Sequence, residues 1–227
     1  MKQIEIKKDI LSAHEMIANE NRELFKSNGT FVLNLMSSPG AGKTTLLERT
    51  IDLLKDTFSL GVIEGDIATS YDAERISAHG VQVVQINTGG ACHLDSAMIK
   101  NALDGFNTQH LDVLIIENVG NLVCPAEFNL GEDIKTMILS VTEGEDKPCK
   151  YPLMFRIAKA LIINKVDLLP YIDCNINRII KDALSLNPDL KIFEISCTKK
   201  TGLNSWKEWL EEEIHTKKQA SSLKQLE

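Results

Sequence analysis

The stretch from Phe31 to Thr45, Phe-Val-Leu-Asn-Leu-Met-Ser-Ser-Pro-Gly-Ala-Gly-Lys-Thr-Thr, constrains the fold of this chain more than any other. Its apolar run, Phe31 to Met36, reads as a buried strand, and Lys43-Thr44-Thr45-Leu46-Leu47 reads as the start of a helix. Strand, glycine loop and helix in this order form a phosphate cradle. Inward-pointing backbone N–H groups hold phosphate oxygens, and the helix N-terminus adds its positive dipole end. Lys43 would reach the β- and γ-phosphates, and the Thr44 hydroxyl would hold Mg²⁺. The pattern Gly-x4-Gly-Lys-Ser/Thr is met at Gly42, Lys43 and Thr44, with Ser37 in place of its first glycine and Pro39 and Gly40 shaping the turn. Ser38, Pro39, Gly40, Ala41, Gly42, Lys43, Thr44 and Thr45 are the expected phosphate-loop contacts.

Such a loop needs an α/β scaffold, and the order of segments supplies one. Residues 3 to 27 read as a helix in which Leu11, Ile17, Leu24 and Phe25 share a face, stopped by Asn28-Gly29. After the helix at about 43 to 56 come strands at Phe58 to Ile63, Val81 to Ile86, Val113 to Ile116, Thr136 to Val141, Ala160 to Ile163 and Lys191 to Ile195. Helices at about 70 to 78, Leu94 to Gly105, 151 to 158, 173 to 186 and Trp206 to Ile214 fall between or after them. The expected fold is a mostly parallel, doubly wound sheet of about seven strands with helices on both faces, the phosphate-loop NTPase class. Three parts are expected: an N-terminal helical extension over 1–28, a nucleotide-binding domain with a metal site over 29–216, and a flexible tail over 217–227. Ligands in such folds bind at the carboxyl ends of the strands.

Composition narrows the partners. The formal net charge is −7, which argues against nucleic acid, because a phosphate backbone needs a basic face. No apolar stretch reaches membrane-span length and no signal peptide is visible, so the expected location is the cytoplasm and no membrane partner is expected. Cysteines at 92, 124, 149, 174 and 197 make an odd count, which suits thiols or metal ligands better than a disulfide framework.

The strand ends carry the chemistry. Asn164-Lys165-Val166-Asp167 resembles the guanine-recognition motif of GTPases. An Asp167 carboxylate can accept from the N1–H and N2–H₂ of guanine, a pair that adenine lacks, and leaving it unpaired is what makes rejection strong. Lys165 would lie over the base and Asn164 would brace the loop. Ser196, Cys197 and Thr198 end the last strand where GTPases often place Ser-Ala-Lys, with Cys197 standing for the alanine. Glu117 ends the fourth strand and is a candidate for the Mg²⁺ shell, and the Gly120 N–H is a candidate for the γ-phosphate. Asp66, after the second strand, is a candidate for Mg²⁺ or for orienting the attacking water, and Glu64 is a weaker one. No glutamine or arginine stands out as transition-state help, so slow hydrolysis of GTP to GDP is expected.

A second constellation is Cys92-His93 with Cys124. Two thiolates and an imidazole suit Zn²⁺ or a square-planar Ni²⁺, and three ligands leave room for water or a partner chain. Spacing alone favours the plainer reading of two buried cysteines and a helix-capping histidine. Cys149 and Cys174 read as structural or surface thiols. His14, His79, His110 and His215 show no clustering, and Trp206 and Trp209 read as core. Leu168 and Ile172 follow the guanine motif and read either as a homodimer surface favoured by GTP or as core.

Taken in order, the phosphate loop, Glu64-Gly65-Asp66, Asn87-Thr88-Gly89-Gly90-Ala91-Cys92-His93-Leu94-Asp95, Glu117-Asn118-Val119-Gly120-Asn121-Leu122-Val123-Cys124-Pro125 and Asn164-Lys165-Val166-Asp167-Leu168-Leu169-Pro170 resemble the HypB family. The similarity runs from about residue 10 to residue 210. It implies a GTPase that helps deliver nickel to the large subunit of [NiFe]-hydrogenases, with metal binding coupled to nucleotide state and dimerisation. The residues matching Cys92, His93 and Cys124 would bind Ni²⁺ or Zn²⁺ at or near a dimer interface, and a HypA-type nickel protein and the hydrogenase large subunit are the implied partners. Neither a Cys-x-x-Cys pair nor a His-rich tract, found in some members, stands before the phosphate loop. The rival readings are a urease-maturation type of GTPase, which would carry Cys-Pro-His instead of Cys-His, and a metal-storage or scaffold protein stabilised by nucleotide.

Overall fold

The computed structural model describes residues 6–66 and 71–224, with side chains over 13–66 and 71–221. Helix α1 (Ile6–Asn28) leads into strand β1 (Phe31–Ser37), and after the phosphate loop comes α2 (Lys43–Leu54). Then follow β2 (Leu60–Asp66), α3 (Tyr71–Ser77), β3 (Gln82–Asn87), α4 (Ser96–Ala102) and β4 (Val113–Glu117). A short helix α5 (Cys124–Glu127) precedes β5 (Ile134–Ser140), and α6 (Lys147–Lys150) and α7 (Pro152–Ile157) precede β6 (Ala160–Asn164). The chain closes with α8 (Ile176–Leu186), β7 (Lys191–Ile195) and α9 (Leu203–Lys224). The strands form one seven-stranded parallel sheet in the order β3-β2-β4-β1-β5-β6-β7.

Period-two alternation splits each central strand between the two faces. Phe31, Leu33 and Leu35 of β1, with Val113 and Ile115 of β4, pack under Leu47 and Ile51 of α2 and Trp206 and Leu210 of α9. Val32, Leu114 and Ile116 face the other way, against Phe25 of α1 and Ile99 of α4. Further along that face, Met137 and Leu139 of β5 meet Phe155 of α7 and Ile179 of α8. Both faces are covered, as a parallel sheet of near-continuous apolar strands requires.

Several boundaries differ from the sequence expectation, each for a local reason. β2 starts later, at Leu60, because Phe58 still closes α2 through a bond from its N–H to the Leu54 carbonyl, and it runs on through Glu64-Gly65-Asp66. α4 begins at Ser96, because Asp95 caps it by accepting from the Met98 N–H (2.8 Å). α8 begins at Ile176, because the Asn175 side chain caps it. The closing helix spans Leu203–Lys224, so the described part of the expected tail is helical, and Lys217 and Lys218 reach Asp133 and Asp112 (2.5 Å each). Residues 3–5, residue 70 and residues 225–227 of the expected elements lie outside the described residues.

α1 is not a loose extension. Its buried stripe is Ala18, Asn21 and Phe25, while Leu24 is exposed and the Leu11 side chain lies outside the described residues. Leu168 and Ile172 are half-buried against the α7–α8 core, so the exposed apolar group of that segment is Tyr171, at 83% exposure. No helix among the described residues is long and apolar enough to cross a membrane.

Candidate functional site

The phosphate loop leaves β1 at the centre of the sheet and opens on a cavity of about 550 Å³. Gly42 sits at φ 95°, and a Cβ there would stand 2.5 Å from Asn164 Nδ2, so only glycine allows the loop to approach the end of β6. That approach is fixed by two bonds: Asn164 Nδ2 donates to the Ala41 carbonyl (2.9 Å) and Lys165 Nζ to the Gly40 carbonyl (2.7 Å). Lys165 itself adopts a left-handed backbone, φ 63°. A second lobe of about 300 Å³ continues from the first past Gly42 and Thr45 to Asp167, Cys197 and Thr198. The first is the expected phosphate lobe, lined by the phosphate loop, and the second the expected base lobe, lined by the Asn164–Asp167 segment.

At the floor, Lys43 Nζ (2.8 Å) and Thr44 Oγ1 (2.7 Å) both donate to Glu117 Oε1. Glu117 is 1% exposed, and its Oε2 is buried with no partner. Glu64 stands beside it as the register partner on β2, also buried, also with an unpartnered Oε2. Burial, then the neighbouring charges of Glu117 and Asp66, push the Glu64 carboxyl up to about 8. The orphaned Glu117 Oε2 beside the Thr44 hydroxyl is the kind of oxygen donor set a hard divalent cation takes. Asp66, Val119 and Gly120 line the cavity wall. Ser196 is buried, and its hydroxyl accepts from the Lys199 N–H (3.0 Å), holding the Ser196–Thr198 loop. The buried Cys197 thiol is pushed up to about 11 by desolvation.

Two groups were missed in the sequence. Arg75 of α3 lines the phosphate lobe, held by a bidentate pair with Glu48 (3.1 and 2.9 Å) and by Asp72 (3.0 Å). An arginine is therefore present at the cavity mouth, where the sequence pointed to none; it arrives from a helix with no motif around it. Glu143, in the acidic run after β5, takes a hydrogen bond from Ser38 Oγ and caps the turn at Ser140. Its position after a central strand was the available signal.

The metal constellation comes together at the same edge. The ligand atoms of Cys92, His93 and Cys124 lie within 4.8 Å of one another, all half-buried. Cys92 Sγ is 2.9 Å from Cys124 Sγ and 3.7 Å from His93 Nδ1. Burial holds His93 below its ordinary value, which favours the neutral imidazole that a metal needs, while hydrogen bonding with Cys92, then burial, raises the Cys124 thiol. Asn118 ties this loop to the nucleotide side: its Oδ1 accepts from the N–H of Leu94 and of Val119 (3.0 Å each), and its Nδ2 donates to Asn34 Oδ1 (3.3 Å).

Residues 31–194 match the CobW/HypB/UreG nucleotide-binding domain family. The chain is 51% identical over 208 residues to the hydrogenase maturation factor HypB of Rhizobium leguminosarum bv. viciae, covering 92% of this chain and 70% of that one. The chain belongs to the HypB family. Its fold is that of HypB from Helicobacter pylori, solved in complex with nickel, at TM-score 0.85 and 42% identity, covering 90% of this chain and 96% of that one. HypB from Archaeoglobus fulgidus matches at TM-score 0.84 and 37% identity, with 89% and 99% covered.

Proposed function

We propose that this protein is a cytoplasmic GTP-hydrolysing nickel chaperone for [NiFe]-hydrogenase maturation, working as a GTP-favoured homodimer with a HypA-type nickel protein and the hydrogenase large subunit as partners. The observation that carries the reading is that the phosphate-loop cavity, with Asp167 in its second lobe, and the Cys92–His93–Cys124 cluster lie on one sheet edge, bridged by β4 and the segment after it. Relatives that are hydrogenase maturation factors, one of them solved with nickel, support it.

In this reading the Asp167 carboxylate reads the guanine edge, with Lys165 over the base and Asn164 bracing the loop. Lys43 leaves Glu117 for the β/γ-phosphate oxygens, where its charge offsets what develops in the transition state. Mg²⁺, held by Thr44, Glu117 and Asp66, would supply charge neutralisation there. Glu64 is the weaker candidate for Mg²⁺ or the attacking water, and Gly120 offers its N–H to the γ-phosphate. Arg75 is tied to two carboxylates and gives no free cation in this arrangement, consistent with slow turnover. Nickel, with Zn²⁺ as competitor, is cargo at Cys92, His93 and Cys124. The tail beyond residue 216 serves as the closing helix of the domain as far as Lys224.

The deciding experiment follows phosphate release with GTP and ATP, and Ni²⁺ transfer to apo-hydrogenase large subunit, in the same preparation. Hydrolysis selective for GTP and nucleotide-dependent transfer are expected. Equal use of ATP, or transfer indifferent to nucleotide, would remove the reading.

A further inference from the structure

The three metal-ligand candidates need more than proximity. A histidine ring ligates only if its nitrogen edge is aimed, and on a half-exposed loop the ring would otherwise rotate. The His93 ring lies flat on Phe128, with centroids 3.8 Å apart and planes at 23°. Phe128 follows Cys124 in the same segment, so the contact closes a loop from one ligand-bearing segment to the other.

Phe128 itself makes a second ring contact. His14 of α1 meets it edge-on at 5.9 Å and 81°. α1 is anchored to the segment after His93, where Ser96 Oγ donates to the His14 carbonyl (2.7 Å) and Asn21 Nδ2 to the Ser96 carbonyl (2.9 Å). The same Asn21 amide, 2% exposed, donates to the Leu130 carbonyl (3.1 Å) in the segment after Cys124. At that point a Cβ on Gly131 would stand 2.7 Å from the Ala18 carbonyl, so helix and segment touch backbone to backbone. Lys135 Nζ donates to the Phe128 carbonyl (2.7 Å) from β5. One helix thus spans both ligand-bearing segments, and the sequence reading of His14 as an ordinary histidine missed this.

We propose that Phe128 is a positioning residue of the Cys92–His93–Cys124 centre, fixing the His93 ring by its face while α1 fixes Phe128 through His14 and Asn21. The inference rests on the metal reading above. Groups that orient a metal-binding imidazole typically cost about 10- to 100-fold in affinity when removed.

The first test needs no metal. In the metal-free protein, NMR of the His93 ring protons should show upfield ring-current shifts that disappear in Phe128→Leu, persist in Phe128→Tyr and shrink in His14→Ala. Random-coil His93 shifts in the wild type would overturn the proposal without any variant. The second test is Co²⁺ titration followed by its ligand-field and thiolate charge-transfer bands. Phe128→Leu should bind about tenfold or more weakly with altered ligand-field bands, Phe128→Tyr should bind as wild type, and metal-free melting temperature serves as the fold control. Wild-type affinity and spectrum in Phe128→Leu would refute the positioning role. His93→Ala separates the two levels: if it leaves Co²⁺ binding untouched, the metal reading itself fails, whereas weakened binding there with intact Phe128→Leu sinks only the present inference.

Discussion

The nucleotide cavity and the metal cluster share one sheet edge but are built on opposite plans. In the cavity, nearly every working group is already engaged within the protein: Lys43 and Thr44 on Glu117, Lys165 and Asn164 on the phosphate-loop carbonyls, Arg75 on Glu48 and Asp72. A ligand there displaces bonds of matching chemistry, so the site is held ready at little reorganisation cost. The cluster is instead held by contacts among its own ligands, a stacked ring and two ligand loops that meet through Asn118 and α1. Such a site can be tuned by shifting one loop. Rigidity belongs where bonds are made and broken, and adjustability where cargo must be taken up and let go.

The largest effect expected from this contrast is at Lys43. Lys43→Ala removes the charge aimed at the developing phosphate negativity and strands Glu117, 1% exposed, beside Glu64. GTP hydrolysis should fall about 10²- to 10³-fold, the usual loss for one preorganised donor, read by phosphate release under single turnover. A loss under tenfold would mean that the cavity is not prepared for phosphoryl transfer. Next comes the base. Asp167→Asn exchanges an acceptor for a donor facing guanine, and GTP affinity should drop on the order of 10²-fold while xanthosine triphosphate binds better. Competition between the two nucleotides decides it, and unchanged GTP preference would take Asp167 out of the pocket.

How much of this was readable beforehand follows the same division. The phosphate loop, Glu117 and the Asn164–Asp167 run were legible because each is a local motif whose chemistry demands fixed spacing. The seven strands were legible because a sheet buried on both faces leaves uninterrupted apolar runs. Arg75, His14 and Phe128 were not, because nothing local marks them: helix packing and crossings between distant strands bring them to the sites, and Glu143 carried only the weak signal of following a central strand. Leu24 was misplaced on the buried face of α1 because an apolar count cannot see that Asn21 takes a core position by bonding two carbonyls. The closing helix was cut short because Lys217 and Lys218 look like tail until Asp133 and Asp112 appear opposite them.

A sharper version of the comparison asks whether the two sites exchange free energy. Gly120 lines the phosphate-loop cavity, Cys124 follows in the same segment, and Asn118 bonds both this segment and the N–H after His93. Loops of this type reorder with the γ-phosphate. Nickel affinity should differ between GDP and a non-hydrolysable GTP analogue by about 5- to 150-fold, and bound metal must change GTP affinity by the same factor. Cys124→Ser should weaken metal about tenfold or more and erase the ratio while GDP still binds. Asn118→Ala should keep both ligands and bring the ratio toward one. Equal nickel affinities in the two nucleotide states of the wild-type protein would confine the switch to dimerisation or partner choice.

The smallest effect is also the one that reads both regions in a single experiment. The five thiols sample them unequally: Cys149 is exposed, Cys92, Cys124 and Cys174 are half-buried, and Cys197 is buried under the base lobe with its thiol pushed up to about 11. Only the thiolate alkylates, so at pH 8 Cys197 should react slowest, with a thiolate fraction on the order of 10⁻³. Cys149 should react fastest and ignore both ligands. Nickel should protect Cys92 and Cys124 several-fold and leave Cys197 alone; GDP should slow Cys197 and leave the pair accessible. Peptide mass spectrometry after timed iodoacetamide labelling separates these rates. Protection of the Cys92–Cys124 pair by GDP alone would mean that the nucleotide closes the metal loops directly, and the division into a rigid cavity and an adjustable cluster would not hold.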